Sequence, residues 1–381
     1  MRPAMCPGVW RNAFARIAVA VALARMAVAG CQVDLVTLNG LDGFRLHGDQ
    51  VGGEAGYSVS GAGDVNGDGI DDLLVGAWKR SSAGQGSAYV VFGQSPPRAA
   101  SLDLASLDGT NGFVFNGAIS SPFELCGASV APAGDLNDDG RDDIVINAPG
   151  SSSVYVVFGR ASFPAAMVPA DLDGTNGFRM AATGLGSLGV NVASAGDVND
   201  DGIDDVIVGA EGASNAAGVA SGRGYVLFGR STFPPVVDLS LLDGTDGFAM
   251  DGIAKDDNCG FSVAGAGDLN DDGIGDVILG AVFANAGSIN EAGQAYVVFG
   301  RASGFPGSPD VLPRRFERVH LRGHCRGRRR WVECERGGGR QWGRDRRRRD
   351  RLVPGEQPAR AVLRRLWNAR HLLAKHERGA S

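Results

Sequence analysis

An all-β fold built from repeated four-stranded units, in the manner of a β-propeller, is what this 381-residue sequence predicts. Three observations lead there. Short runs rich in Val, Ile, Tyr and Phe, bounded by Gly and Asp clusters, recur between residues 33 and 306 and read as strands. No stretch of that region keeps a long helical period. The runs return in a fixed order, four to a unit, and several four-stranded units in series are the mark of a propeller.

At the N-terminus, Arg2 and Arg11 precede an apolar segment from Ile17 to Ala24 and small residues that end in Val28-Ala29-Gly30-Cys31. Residues 1–31 therefore read as a secretory signal peptide. The apolar run is too short to span a bilayer. Small residues ending in cysteine also resemble a bacterial lipoprotein cleavage site, so lipidation at Cys31 is the one membrane attachment the sequence suggests. Arg16 and Arg25 interrupt the segment and weigh against both readings.

Four units follow, over about 37–109, 110–174, 175–244 and 245–306. In the first, the runs are GFRLHG from Gly43, YSVSGAGD from Tyr57, DLLVGA from Asp72 and AYVVFG from Ala88. The opening run returns as NGF at Asn111 and Asn176 and as DGF at Asp246; the closing run returns at Tyr155, Tyr225 and Tyr296. Between the second and third runs sits a nine-residue acidic loop. Its copies are DVNGDGIDD (Asp64 to Asp72), DLNDDGRDD (Asp135 to Asp143), DVNDDGIDD (Asp197 to Asp205) and DLNDDGIGD (Asp268 to Asp276), and the first aspartates lie 71, 62 and 71 residues apart.

Carboxylates crowded onto one turn repel each other unless a cation sits among them. A hard cation with several oxygen ligands is the natural occupant, so calcium is expected. Side chains at positions 1, 3, 5 and 9 are the candidate ligands, with the position 7 carbonyl as a fifth. The sets are Asp64, Asn66, Asp68, Ile70 and Asp72; Asp135, Asn137, Asp139, Arg141 and Asp143; Asp197, Asn199, Asp201, Ile203 and Asp205; and Asp268, Asn270, Asp272, Ile274 and Asp276. Glycine at position 6 supplies the sharp turn. An EF-hand would want glutamate at position 12, where the first copy has Val75. Asn, Asp and Gly also make ordinary tight turns, but four copies in register favour a shared ligand. Position 8, aspartate in three copies and Gly275 in the fourth, is expected to point away from the ion. The other connections belong on the opposite face. The third-to-fourth ones vary most (Pro149 to Ser153, Glu211 to Gly224, Val282 to Gln294), and variable loops on a repeated scaffold usually carry recognition.

The Phe-Gly strand ends, the Gly-Ala-Pro-like segments (VGA from Val75, NAP from Asn147) and the D-x-N-x-D-G-x-x-D loop together resemble the FG-GAP repeat family, which includes the seven-bladed propeller of integrin α subunits. The resemblance covers residues 33 to about 306. It implies a calcium-binding propeller, secreted or at the cell surface, that serves adhesion or ligand binding with an extracellular protein or glycan as partner. The family's calcium ligands fall on the aspartates and asparagines named above. Some enzymes carry this propeller beside a hydrolase domain, so a fragment of a larger secreted hydrolase is one alternative, and a non-functional product of a shifted reading frame is the other.

From about residue 307 the composition turns over. Residues 307–381 hold 22 of the 37 Lys and Arg and 8 of the 43 Asp and Glu, a balance of +14 against −20 for the rest. A run such as RDRRRRDR ordinarily suggests a nucleic-acid-binding arm. The genetic code offers another origin. Read one nucleotide later, Trp331 to Leu352 can spell a fifth acidic-loop unit, with its first aspartate 71 residues after Asp268. Phe316 to Leu321 can likewise spell an opening run and Val362 to Ala369 a closing one. Trp342 before Gly343 forces a glycine at loop position 4 whatever the wobble base. The tail is thus read as the product of a frameshift between residues 307 and 315, expected to be disordered and to bind no nucleic acid as a function. The expected fold is a partial propeller with four intact blades and a fifth lost, whose open ends expose strand edges.

Catalysis finds little support in the intact region. His47 is its only histidine, which argues against a histidine-based triad or metal site. Neither a P-loop nor a dinucleotide fingerprint is present. Cys126 and Cys259 occupy matching positions two units apart, too far to bridge, and read as buried thiols.

Overall fold

Short glycine-bounded strands run throughout the described residues: β1 (Arg45–His47), β2 (Ser58–Gly63), β3 (Asp72–Ala77), β4 (Ser87–Val91), β5 (Ser101–Asp103), β6 (Gly112–Asn116), β7 (Val130–Gly134), β8 (Asp143–Ala148), β9 (Ser153–Val157), β10 (Ala166–Met167), β11 (Gly177–Ala181), β12 (Val192–Gly196), β13 (Asp205–Ala210), β14 (Arg223–Leu227), β15 (Val236–Asp238), β16 (Gly247–Asp251), β17 (Cys259–Gly267), β18 (Asp276–Ala281) and β19 (Gln294–Val298). The helical content is single turns. Three of them, Leu35–Thr37, Leu104–Ser106 and Leu239–Leu241, start from an aspartate (Asp34, Asp103, Asp238) whose carboxylate accepts the amide two residues on. The all-β expectation holds.

The computed structural model describes residues 33–305, except 82–83, 119–122, 183–187 and 189–190. All of these fall in one unit, Met1–Cys334. The leader over 1–31, with Cys31, and the tail from 307, with the frameshift reading, lie outside the described residues.

Sheets and sequence units do not coincide. The first sheet runs β2-β3-β4-β6, antiparallel throughout, and β6 opens the second sequence unit. The second runs β7-β8-β9-β11 and the third β12-β13-β14-β16, each again closed by the Gly-Phe strand of the following unit. The register repeats: Val90↔Phe113, Val156↔Phe178, Val226↔Phe248. The short strands β10 and β15 add in parallel to the outer edges of β6 and β11. This corrects the expectation of four complete four-stranded sheets. Among the described residues three are complete, the fourth has β17, β18 and β19 only, and β1 pairs in parallel with β5. A periodic sequence fixes the length of the repeat but not the point at which the sheet is cut.

Hydrophobic cores lie between consecutive sheets. Leu74, Val90 and Phe113 pack with Ile144, Ile146 and Tyr155; Val145, Val156 and Phe178 pack with Val206, Val208 and Tyr225; Ile207, Val226 and Phe248 pack with Val277 and Leu279. Successive residues of a middle strand thus face opposite neighbours, which is why DIVINA and DVIVGA are apolar without alternation. Burying each such side chain stabilises by about 1.5–3 kcal/mol. The innermost strands β2, β7, β12 and β17 lie side by side in that order.

Each sheet-to-sheet seam ends in three phenylalanines: Phe92, Phe113 and Phe163, then Phe158, Phe178 and Phe233, then Phe228, Phe248 and Phe305. The last two rings of each set stack at 4.3 Å. Arg160, Arg230 and Arg301 lie over Phe163, Phe233 and Phe305 at 4.6, 4.7 and 4.6 Å, a cation–π contact.

Candidate functional site

The acidic loops join β2 to β3, β7 to β8, β12 to β13 and β17 to β18, so all four leave the sheets at the same end. The geometry of the first is representative. Asp64 Oδ1 accepts the Gly67 and Asp68 amides at 2.8 and 3.0 Å, and Oδ2 accepts the Gly69 amide at 2.7 Å. The Asp68 amide is shared with Asn66 Oδ1 at 2.8 Å. Asn66 Nδ2 donates to Asp68 Oδ2 at 3.0 Å, and Asp68 Oδ1 accepts the Ile70 amide at 2.9 Å. Oxygens from positions 1, 3 and 5 therefore converge on one turn. The bonds to the position 5 and 6 amides and between positions 3 and 5 recur around Asp135, Asn137 and Asp139, Asp197, Asn199 and Asp201, and Asp268, Asn270 and Asp272. At the fourth loop the Gly273 amide holds the Asp268 carboxyl below the usual carboxylate range.

Glycine at position 6 has φ of 84, 84, 88 and 90° in Gly69, Gly140, Gly202 and Gly273, as its turn role requires. Position 4 is left-handed too. It is Gly67 in the first loop and Asp138, Asp200 and Asp271, with φ of 59, 61 and 63°, in the others. Aspartate tolerates this region better than most side chains.

Position 9 has a different place. Asp72, Asp143, Asp205 and Asp276 are fully buried. One oxygen of each accepts the position 2 amide of its own loop (Val65, Leu136, Val198, Leu269) and the other an amide just past the closing strand (Gly93, Gly159, Gly229, Gly300). Burial pushes the Asp72 carboxyl up to about 6 and those of Asp143 and Asp205 up to about 8, with the carboxylates at positions 5 and 1 adding to the rise. The amides of Ile70, Arg141, Ile203 and Ile274 donate to the position 5 carboxylates. Arg141 Nη1 lies 3.9 Å from Asp139 Oδ1.

Among the described residues no three His, Cys, Asp or Glu side chains form a cation-holding group by themselves. Each loop instead offers hard oxygens of mixed kind, carboxylate, amide and carbonyl, on one turn. That donor chemistry suits an oxygen-seeking cation. An oxygen that accepts one amide keeps a second lone pair.

Position 8 is where reading the sequence as a ligand pattern missed a role. Asp142 Oδ2 accepts the Asp64 amide at 2.7 Å, and Asp204 Oδ2 accepts the Asp135 amide at 3.2 Å. Asp142 and Asp204 thus each tie their loop to position 1 of the preceding loop. A backbone tie runs beside the first: the Asp142 amide donates to the Asp64 carbonyl at 3.3 Å, and the Gly275 amide, with no side chain to add, to the Asp197 carbonyl at 2.8 Å. The regular spacing of Asp142 and Asp204, falling on Gly in the last copy, was the available signal.

At the opposite end, Tyr57 and Trp78 stack at 4.6 Å, and Lys79 Nζ lies 4.5 Å from the Trp78 ring. Glu54 accepts Trp78 Nε1 and Lys79 Nζ at 2.7 and 2.8 Å. Tyr57 is 56% exposed. The longer connections on this side are themselves folded: Asn215 and Gly218 exchange backbone hydrogen bonds, as do Ala286 and Ile289. Cys126 and Cys259 are free, buried thiols, as expected.

The first two of these sheets carry FG-GAP repeats: the family described as FG-GAP repeat matches residues 55–91 and 127–160. Both matches span three strands and their acidic loop and omit the Gly-Phe strand. Among curated proteins, the chain is similar to integrin alpha-IIb of Mus musculus, 35% identical over 185 residues, which is 45% of this chain and 16% of that one. It is 30% identical over 242 residues to integrin alpha pat-2 of Caenorhabditis elegans, covering 59% of this chain and 18% of that one. It is also 34% identical over 125 residues to phosphatidylinositol-glycan-specific phospholipase D of Rattus norvegicus, covering 32% and 14%. The chain thus spans less than a fifth of the length of these relatives. No helix among the described residues is long and apolar enough to cross a membrane.

Proposed function

We propose that this chain is a non-catalytic, calcium-binding β-propeller module that acts in adhesion or ligand binding outside the cell or at its surface. The observation that carries the reading is the fourfold recurrence of D-x-N-x-D-G-x-x-D at one place in successive sheets, with oxygens at positions 1, 3 and 5 drawn onto one turn each time. In this reading the position 1, 3, 5 and 9 side chains and the position 7 carbonyl hold Ca²⁺, and the buried position 9 aspartate also braces the loop against the end of the closing strand. Arg141 sets a positive charge beside Asp139, so the second loop is the weakest of the four. The similarity to integrin alpha chains supports adhesion. The exposed Tyr57–Trp78 shelf and the variable connections support recognition at the end opposite the loops, by an extracellular protein or glycan.

Calorimetric titration of the chain with CaCl₂, paired with melting in CaCl₂ and in EDTA, tests the metal. A cation that binds the folded state alone stabilises by about 2.7 kcal/mol per site at 100-fold excess over Kd, so melting falls clearly in EDTA. No heat of binding and superimposed melting curves would sink the proposal. The similarity to a phospholipase D favours a second reading, a propeller belonging to a larger secreted hydrolase. A catalytic domain encoded beside this segment would decide for it.

A further inference from the structure

We infer that Asn66, in the first acidic loop, is a self-modifying residue: its side-chain amide is lost to attack by the Gly67 backbone nitrogen, which leaves aspartate or isoaspartate at position 66. The chain has five Asn-Gly pairs, at Asn39, Asn66, Asn111, Asn116 and Asn176. A glycine after asparagine lacks the Cβ that would obstruct closure of a five-membered imide. Gly67 is the exposed glycine of the five; Gly40, Gly112, Gly117 and Gly177 are buried. Gly40 and Gly117 also donate their amides to the Gly43 and Gly86 carbonyls at 2.8 and 3.0 Å, and Gly112 and Gly177 open strands β6 and β11. In the other three acidic loops Asn137, Asn199 and Asn270 are followed by Asp138, Asp200 and Asp271.

Three groups already stand around the reacting atoms. The Gly67 amide donates to Asp64 Oδ1 at 2.8 Å, within the reach that a general base needs. Asn66 Oδ1 accepts the Asp68 amide at 2.8 Å, a donor placed where negative charge gathers when Cγ is attacked. A Cβ on Gly67 would meet Arg141 Nε at 2.7 Å. The guanidinium of the second loop therefore lies against the same peptide, and its charge favours a nitrogen that is losing a proton. Arg141 is peculiar to its loop; Ile70, Ile203 and Ile274 hold that position in the others.

Gly67 N passes its proton to Asp64 Oδ1 and bonds to Asn66 Cγ, and the carbonyl electron pair moves onto Asn66 Oδ1. The pair returns and the Cγ–Nδ2 bond breaks. Nδ2 takes up a proton, handed back from Asp64 through water, and leaves as ammonia. Water then opens the imide, at Cγ to give aspartate or at the backbone carbonyl carbon to give isoaspartate. Water is consumed, ammonia is released and the loop gains one negative charge. Isoaspartate also puts one more carbon into the main chain between Asp64 and Asp68. The first loop alone of the four thus changes its charge with age.

Incubation of the full chain in neutral buffer, followed by peptide mass mapping, tests this. EDTA in the buffer keeps cations off Asp64 and Asn66, so the result does not depend on calcium binding. In the native chain Asn66 is expected to lose ammonia on the order of tenfold faster than Asn39, Asn111, Asn116 or Asn176, a barrier lower by about 1.4 kcal/mol. In denaturant that lead should disappear. Asp64→Asn should slow the reaction at Asn66 and leave Asn39 unchanged. Arg141→Ile gives the second loop the residue that the others carry and should slow Asn66 too; it decides should Asp64→Asn not fold. Asn66 no faster than the other four in the native chain overturns the proposal, as does a lead that persists in denaturant or a rate that neither substitution changes.

Discussion

Asp142 lies opposite Gly63 as Asp204 lies opposite Gly134, which shows why a glycine precedes the first two acidic loops, whereas Gly196 and Gly267 have open space and share only the left-handed backbone. A Cβ on Gly63 would sit 2.2 Å from Asp142 Oδ2, and the backbone there has φ +71°. Gly69, also left-handed, has open space around it. Gly69→Ala should therefore cost about 1–2 kcal/mol, the left-handed penalty alone, while Gly63→Ala costs more and also breaks the bond from Asp142 to the Asp64 amide. Asp142→Ala should cost about 1–2 kcal/mol, toward the low end for a hydrogen bond to a charged group because the site is half-buried. Chemical denaturation of the three variants checks the order. Asp49 supplies a pH test. Burial acts to raise its pKa, but hydrogen bonds from Arg80 and Tyr89 outweigh it and hold the carboxyl below its usual range. A carboxyl depressed in the folded state contributes stability that is complete above its unfolded value of about 4 and is lost as pH falls through the folded value. The melting difference between the native chain and Asp49→Asn should hold constant from pH 7 to about 5 and shrink below about 4; a difference that grows on acidification would refute the assignment. Burial pushes the Cys259 thiol up to about 12 and that of Cys126 well above its ordinary value. Iodoacetamide at pH 8 should leave both unmodified in native protein, as read by peptide mass mapping, and alkylate both in denaturant.

Among the strands, burial and pairing differ sheet by sheet, and so should their opening. β8, β9, β13 and β14 are buried on both faces and paired on both edges, whereas β19 is half-buried with one partner strand among the described residues. Hydrogen exchange should be faster in half-buried β19 than in buried β9; equal protection in the two would contradict the difference. Most strands and all four loops were legible in the sequence, because YVVFG, DLLVGA and the acidic nonapeptide are local patterns whose physics is local. What was not legible is relational. That Phe113 closes the sheet of Val90 rather than opening its own depends on which copy of a repeated strand lies nearer in space. That Asp142 reaches Asp64 across a sheet boundary depends on packing. That the carboxylate of Asp72, an expected ligand, also bridges Val65 and Gly93 depends on Gly93, which lies outside the nonapeptide. The phenylalanines Phe163, Phe233 and Phe305 went unread because each stands in a connection that carries no strand pattern.

Taken together, the sheets carry an unusual concentration of negative charge: residues 1–306 hold 35 of the 43 acidic residues, with a net charge of −20. Crowded carboxylates at one end should make the cation-free fold sensitive to ionic strength. Melting in EDTA is expected to rise as NaCl increases from about 0.01 to 0.15 M, where the screening length falls from about 30 to 8 Å. A flat response would mean that the loops' own amides already quench the repulsion. The offset between sheet and unit bears on how such a chain can be divided. A segment cut at 37–109 leaves behind the Gly-Phe strand that finishes its sheet, while one cut at 55–118 keeps β2, β3, β4 and β6 together. Gene duplication can therefore lengthen or shorten the series by any whole period, since each insert hands its first strand backward and receives one from ahead, but every break in the series frees one donor and one acceptor.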